Sequence, residues 1–179
     1  MRLILIFLLF STHLLAQQFY TNKGKISFFS EAPLEDISAV NENVSAIIDS
    51  QTGGFAFRVK IVDFSFPNSL MQEHFNESYL ESDKYPLSTF TGLIDNFSAL
   101  DFRTRQNFLV NGNLTMHGIG KDAQMKATAH MLNDELHITS TFDVTLEDYN
   151  IDIPKIMMYK IAETITVTVE IKLNKRDNE

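Results

Sequence analysis

The sequence predicts an all-β domain of eight antiparallel strands closed into a barrel, and three observations carry that prediction. Apolar and polar residues alternate with a period of two from one end of the chain to the other, the pattern of half-buried antiparallel strands. Turn-forming residues punctuate the runs, with Thr52-Gly53-Gly54 between the second and third strands and Asn133-Asp134 between the sixth and seventh. The apolar supply is unusual, with 15 Phe and 7 Met but no Trp, and such adaptable side chains line a cavity as readily as they fill a core. Eight long strands in an open sheet would expose two edges, and closure removes both. A sandwich with a solid core is the alternative that this pattern leaves open.

Residues 1–16 read as a secretory signal peptide. Arg2 supplies the basic start, residues 3–10 are an unbroken apolar run, and Leu14-Leu15-Ala16 precedes the polar pair Gln17-Gln18, which places cleavage after Ala16. The run falls short of the roughly 20 apolar residues of a spanning helix, so no transmembrane anchor is expected. The domain is then residues 17–179, located in a periplasm or secreted. The chain has no Cys, hence neither a disulfide framework nor a cysteine for an acyl anchor. Loss of Arg2, the one charge in the leader, takes the formal charge from −8 to −9. An acidic chain without a basic stripe argues against nucleic acid and against anionic membrane surfaces.

The strands follow in order at residues 24–31, 40–49, 55–62, 86–96, 105–117, 124–131, 136–146 and 163–173. The last is the cleanest: Ile165, Val167, Val169, Ile171 and Leu173 alternate with Thr, Glu and Lys. In the seventh, Leu136, Ile138, Phe142, Val144 and Leu146 share a face; in the third, Phe55, Phe57, Val59 and Ile61 do. Two segments break the alternation. Residues 67–82 carry Leu70, Met71, Phe75, Tyr79 and Leu80 at helical spacing, with Asn68 or Ser69 as N-cap after Pro67. Residues 154–162 form a short apolar stretch that Pro154 suits for a first helical turn.

Several chemistries are absent from the sequence. It has no Gly-rich phosphate loop, no nucleophile elbow, and no second His four residues after His74 to make a zinc helix. His130 and His137 fall on polar strand faces, and the carboxylate pairs Asp134-Glu135 and Glu147-Asp148 sit at turns and strand ends, where solvation is the expected role. No cofactor or metal is expected.

The segment from Glu73 to Pro86, EHFNESYLESDKYP, resembles the hallmark of the YceI-like family of polyisoprenoid-binding proteins. Three further stretches agree in order and spacing: residues 28–34 (FFSEAPL), residues 116–121 (MHGIGK) and residues 148–154 (DYNIDIP). The chain departs from the family pattern at Gly120, where Thr is usual. The resemblance spans essentially the whole domain and implies a lipocalin-like barrel with an elongated apolar cavity, one or two short helices, and a guest such as a polyprenyl chain or an isoprenoid quinone.

The leading expectation is therefore a non-enzymatic carrier, store or sensor of a long isoprenoid-type lipid. Its tail would lie among Phe28, Phe57, Val59, Phe64, Phe142, Val144, Ile165 and Val167, with Leu70, Phe75 and Tyr79 closing one end and His74, Asn76 and Tyr149 meeting the head. An apolar tail gains about 0.8 kcal/mol for each CH₂ withdrawn from water, so few polar contacts are needed. A lipid isomerase or hydrolase using the same cavity, and a solid-core interaction domain, are the alternatives. An apolar rim at the mouth would leave room for a homodimer.

Overall fold

Each strand of the computed structural model pairs antiparallel with its neighbour in sequence, and the eighth returns to the first, so the barrel closes without a free sheet edge. The structure describes residues 18–31, 36–153 and 162–176. The strands are β1 (Gln18–Ser30), β2 (Ile37–Asp49), β3 (Gly54–Lys60), β4 (Leu87–Ile94), β5 (Gln106–Met116), β6 (Ile119–Leu132), β7 (Glu135–Thr145) and β8 (Thr164–Lys175). The expected leader and all but the last residue of the second expected helix lie outside the described residues. No described helix is long and apolar enough to cross a membrane.

Alternation becomes inside and outside as the pleat requires. Leu136, Ile138 and Val144 on β7 face Leu173, Ile171 and Ile165 of β8 in register, all toward the interior. The β5–β6 and β6–β7 hairpins turn on two residues each, His117-Gly118 and Asn133-Asp134, all four with φ between 50° and 74°. Positive φ at both central positions matches the right-handed twist of the strands they join.

The first strand differs from its expected form for a local reason, and glycines shape it and two other strands. β1 begins at Gln18 instead of residue 24, because its first half carries register shifts on either side of Gly24 that scramble the alternation. A Cβ at Gly24 would stand 2.3 Å from Ile171 Cδ1, so the bulge brings the backbone close against that side chain. On β4 and β5, Gly92 pairs with Gly112, and a Cβ on either would come within 2.3 Å of the opposite backbone. Both fall on the interior register, so two side chains are missing from the lumen at that level.

The barrel is tight at one end and splayed at the other. The β6–β7 ladder stops at Ala127↔Ser140, although β6 reaches back to Ile119 and β7 on to Thr145. At that fork Ser140 Oγ donates to the Lys126 carbonyl at 2.8 Å. The β2–β3 ladder covers only Ser45–Ile48 on β2, and beyond it the fully buried Asn41 donates to the Lys60 carbonyl at 2.8 Å and accepts from Asn43 N. Side-chain bonds stand in for ladder bonds at the points where the strands part. The narrow end is filled: Ile48, Ala129, Leu136, Ile171 and Leu173 are buried, with Phe97, Leu100 and Phe102 packed over them.

Candidate functional site

The splayed end is covered by the segment between β3 and β4. Pro67 precedes Asn68, whose side-chain oxygen accepts from Leu70 N and starts the helix α1 (Ser69–His74) as the sequence led us to expect. The helix does not continue as α to residue 82. From Phe75 to Tyr79 it widens into a π-turn, with Leu80 N donating to the Phe75 carbonyl at 2.9 Å. At about 100° per residue, positions five apart on an α-helix diverge, whereas a turn closed from i to i+5 returns the fifth residue beneath the first. His74 with Tyr79, and Phe75 with Leu80, are such pairs, and all four line the space beneath the lid.

That space is the outermost of three chambers strung along the barrel axis. The mouth chamber, about 210 Å³, lies between the lid and the rim, with Phe28, Ile37, Leu70 and Ile165 in its wall. A middle chamber of about 90 Å³ follows, lined by Val59, Phe64, Phe142, Val144 and Val167 among others. The deep chamber, about 100 Å³, ends against Ile48, Ile94, Phe108 and Ile138. Mouth and middle share Phe28 and Phe75; middle and deep share Ile26, Val59, Leu114 and Phe142. The interior therefore is not a solid core, and at about 24 cal/mol per Å³ a void of 100 Å³ forgoes roughly 2–3 kcal/mol of packing.

A neck of four phenylalanines separates mouth from middle. The Phe28 ring stacks on Phe75, centroids 5.7 Å apart and 19° from parallel, and Phe64 and Phe66 close on the pair at 5.4 and 5.0 Å from Phe75. These rings are held by packing against one another.

Among the sequence-selected residues, Phe57, Val59 and Phe142 line the deep chamber. Phe28, Phe64, Phe75, Val144, Ile165 and Val167 line the middle one. Leu70, His74 and Tyr79 belong to the mouth. Asn76 and Tyr149 line none of the three. The Asn76 amide is turned back onto its own helix, donating to the Gln72 carbonyl at 2.9 Å, and its Oδ1 is buried without a protein partner. Tyr149 is buried in the turn after β7, where burial and the neighbouring Asp148 push its phenol pKa up. Its carbonyl accepts from His117 Nδ1 at 3.0 Å.

The opposite nitrogen of that ring, Nε2, lies 2.9 Å from Glu81 Oε2, and Tyr85 packs edge-on at 4.5 Å. His117 thus ties the end of the lid to the β5–β6 turn and to the turn after β7. Sequence reasoning placed His117 in a motif without seeing this link, since its partners are 36 and 32 residues away. It also missed Ile26, Phe90 and Leu114 in the wall, whose strands alternate less cleanly. His130 and His137 lie side by side on β6 and β7 with centroids 5.4 Å apart, remote from the chambers, and His137 reaches Glu135 at 3.3 Å.

Among the described residues the middle and deep chambers contain no titratable group; the mouth holds two, His74 and Tyr79. No described cluster of His, Asp or Glu is placed to hold a metal ion. The arrangement offers a long apolar bore with a sparsely polar mouth.

Several solved structures share this form. Over 90% of the chain and 99% of its own length, a polyisoprenoid binding domain from Saccharophagus degradans, described as implicated in plant cell wall breakdown, superposes with a TM-score of 0.78 at 14% identity. BcnA of Burkholderia cenocepacia matches 84% of the chain over 96% of its own, with a TM-score of 0.71 at 13% identity. The YceI protein of Campylobacter jejuni matches 83% over 90%, at 0.65 and 15%. At such identities these likenesses speak to the fold. No curated protein sequence matches the chain. The YceI-like domain model matches residues 12–173, and the chain belongs to that family.

Proposed function

We propose that this protein binds a long apolar lipid of isoprenoid type inside its barrel, as a carrier, store or sensor, in the periplasm or secreted. The observation that carries the reading is the run of three chambers along one axis, walled mostly by Phe, Ile, Val and Leu, with a neck of phenylalanine rings between mouth and middle. From Ile138 to Leu146 the lumen-facing positions of β7 and the turn after it span eight steps, about 26 Å along a strand and about 20 Å along a barrel axis tilted by some 40°. Such a bore suits an extended chain better than a compact ligand. The structural relative described as a polyisoprenoid binding domain supports the same class of guest.

Catalysis fits the bore poorly. Acid–base work needs groups held in contrasting environments near the reacting bond. The bore beyond the neck supplies none among the described residues, and His74 and Tyr79 at the mouth have no activating partner there. A binding role is the better account.

Native mass spectrometry of the mature protein from its own host, followed by solvent extraction, tests the reading. A stoichiometric guest of polyprenyl or isoprenoid-quinone type is expected. A clean apo mass, unchanged after isoprenoids are added, would overturn it.

A further inference from the structure

Among the described residues the barrel wall parts between β2 and β3 and again between β6 and β7, and the two gaps differ. The first is plugged by the Asn41 side chain, which is fully buried and bonded to the Lys60 carbonyl. At the second, pairing ends with Ala127↔Ser140, both small residues, and the bond from Ser140 Oγ to the Lys126 carbonyl closes the head of the fork. The next inner-register residues, Met125 on β6 and Phe142 on β7, front the deep chamber without a ladder between their strands. At the foot of the fork Lys121 of β6 meets Asp148 of the turn after β7, so the gap is a bounded slot. Outside it runs a groove of about 630 Å³, three times the volume of the mouth chamber. Leu109 and Thr141 of the outer register line that groove, together with Phe108, Ala127 and Ser140 of the inner one. The last three also line the deep chamber, so groove and bore share a wall at the fork.

We propose that the fork is a side portal, through which the far end of a tail longer than the bore leaves the barrel and lies in the outer groove. This rests on the reading of the bore as a site for a prenyl tail. The bore is blind, since Ile48, Leu136, Ile171 and Leu173 close its floor at 1% exposure or less. A tail that outruns it must double back, stay in water at the mouth, or pass the wall. Doubling back needs width that chambers of about 90 and 100 Å³ do not offer. A tail left in water forgoes the burial gain of every CH₂ outside. Passage through a paired stretch of wall would break ladder hydrogen bonds, whereas at the fork it displaces one side-chain bond. The depth of the bore therefore sets no upper limit on the length of the tail.

The chain has no cysteine, so one introduced thiol reports on the groove alone. Thr141→Cys puts it on the exposed outer register of β7, one residue beyond the ladder. Its labelling by a fluorescent maleimide is timed on the mature protein without ligand, with geranylgeraniol, whose tail is short enough for the bore, and with solanesol, whose tail is more than twice as long. Displacement of a fluorescent tail probe first establishes that each alcohol binds, and so that the variant folds. Solanesol is expected to slow labelling about fivefold or more, and geranylgeraniol to leave it within about twofold of the free rate. Arg58→Cys, exposed on β3 across the barrel, is expected to label at one rate throughout. Protection of Thr141→Cys by neither alcohol, or by both alike, would overturn the portal, as would equal protection at Arg58→Cys. Exclusion of solanesol by a protein that binds geranylgeraniol would overturn it too. Failure of both alcohols to bind would instead bring down the lipid reading on which it rests.

Discussion

The two ends of the barrel are built from the same residue type and come out as opposites. At the narrow end Phe97 and Phe102 meet at a tilt and Phe102 and Phe108 edge to face, with centroid spacings of 5.9 and 6.1 Å, over a floor of aliphatic side chains that are almost wholly buried. At the splayed end Phe28, Phe64, Phe66 and Phe75 form as dense an aromatic cluster, yet chambers lie on both sides of it. What separates them is the strand ladder. Where β6 and β7 stay paired, the wall is narrow and aromatic rings pack as core; where they part beyond Ala127↔Ser140, another set of rings stands between two chambers. The contrast teaches that a Phe count predicts apolar volume, while ladder continuity decides whether that volume is solid or hollow.

The largest test of the contrast is at the floor. Leu136 is 1% exposed and pairs with Leu173, so Leu136→Ala is expected to cost about 2–5 kcal/mol, read as a fall in denaturation midpoint. Tail binding at a temperature where the variant is folded is expected to persist, since Leu136 does not line the chambers. Loss of binding by the folded variant would mean that the floor is part of the site.

Next comes the polar tie that holds the lid. The His117 side chain is 9% exposed and links Glu81 to the Tyr149 carbonyl. His117→Ala leaves those acceptors without their partner, at a cost of about 1–3 kcal/mol. The consequence should be local. Hydrogen exchange is expected to quicken at the amides of residues 80–85, and to stay slow in β7 and β8 at the narrow end. Uniform acceleration would show that lid and floor open as one unit.

Much of the wall was legible in the sequence because it obeys a period of two. Ile138 and Ile171 toward the narrow end, and Val144 and Val167 toward the splayed one, face inward as their alternation demands, and Asn68 caps α1 as its position before an apolar-periodic run demands. The splayed end hid its structure in non-local and aperiodic features. Nothing in residues 69–80 distinguishes a π-turn from an α-helix, because Leu70, Met71, Phe75, Tyr79 and Leu80 suit either. The fork at Ser140 leaves no mark on the alternation of β6 or β7, since a strand alternates whether or not its neighbour is paired. Asn76 and Tyr149 were given to the head group on side-chain type, and neither lines a chamber: the Asn76 amide nitrogen donates within its own helix, and Tyr149 lies buried in the turn after β7. The β1 bulge at Gly24 shifted the register and so erased the first half of that strand from the pattern.

A smaller effect is expected at the neck itself. Phe75 is half-buried, so Phe75→Ala should cost about 1–2 kcal/mol, less than the roughly 3–5 for a fully buried Phe. Because its removal joins mouth to middle chamber, stopped-flow dissociation of a tail probe is expected to accelerate more than affinity falls. Unchanged dissociation would mean that the ring is wall and not stopper.

The smallest effect distinguishes packing from charge as the source of the difference between the ends. The narrow end has an ion pair of its own, Asp101 with Arg103, whose nitrogens donate to the carboxylate at 2.8 Å. Those bonds hold the Asp101 pKa down to about 2. A depressed carboxylate pKa contributes stability that is present above its free value near 3.9 and fades as pH falls toward about 2. Yet Arg103 is 87% exposed and the pair stands in water, where screening removes most of the benefit. Asp101→Asn is therefore expected to leave the melting temperature at neutral pH within experimental scatter, with any residual gap from the parent closing as the buffer is taken from about pH 5 to about pH 2. A clear loss at neutral pH would place part of the narrow end's rigidity in this exposed pair. No loss leaves it in Leu136, Ile171 and Leu173, and leaves His117–Glu81, with its ring nearly sealed from solvent, as the polar link on which the splayed end depends.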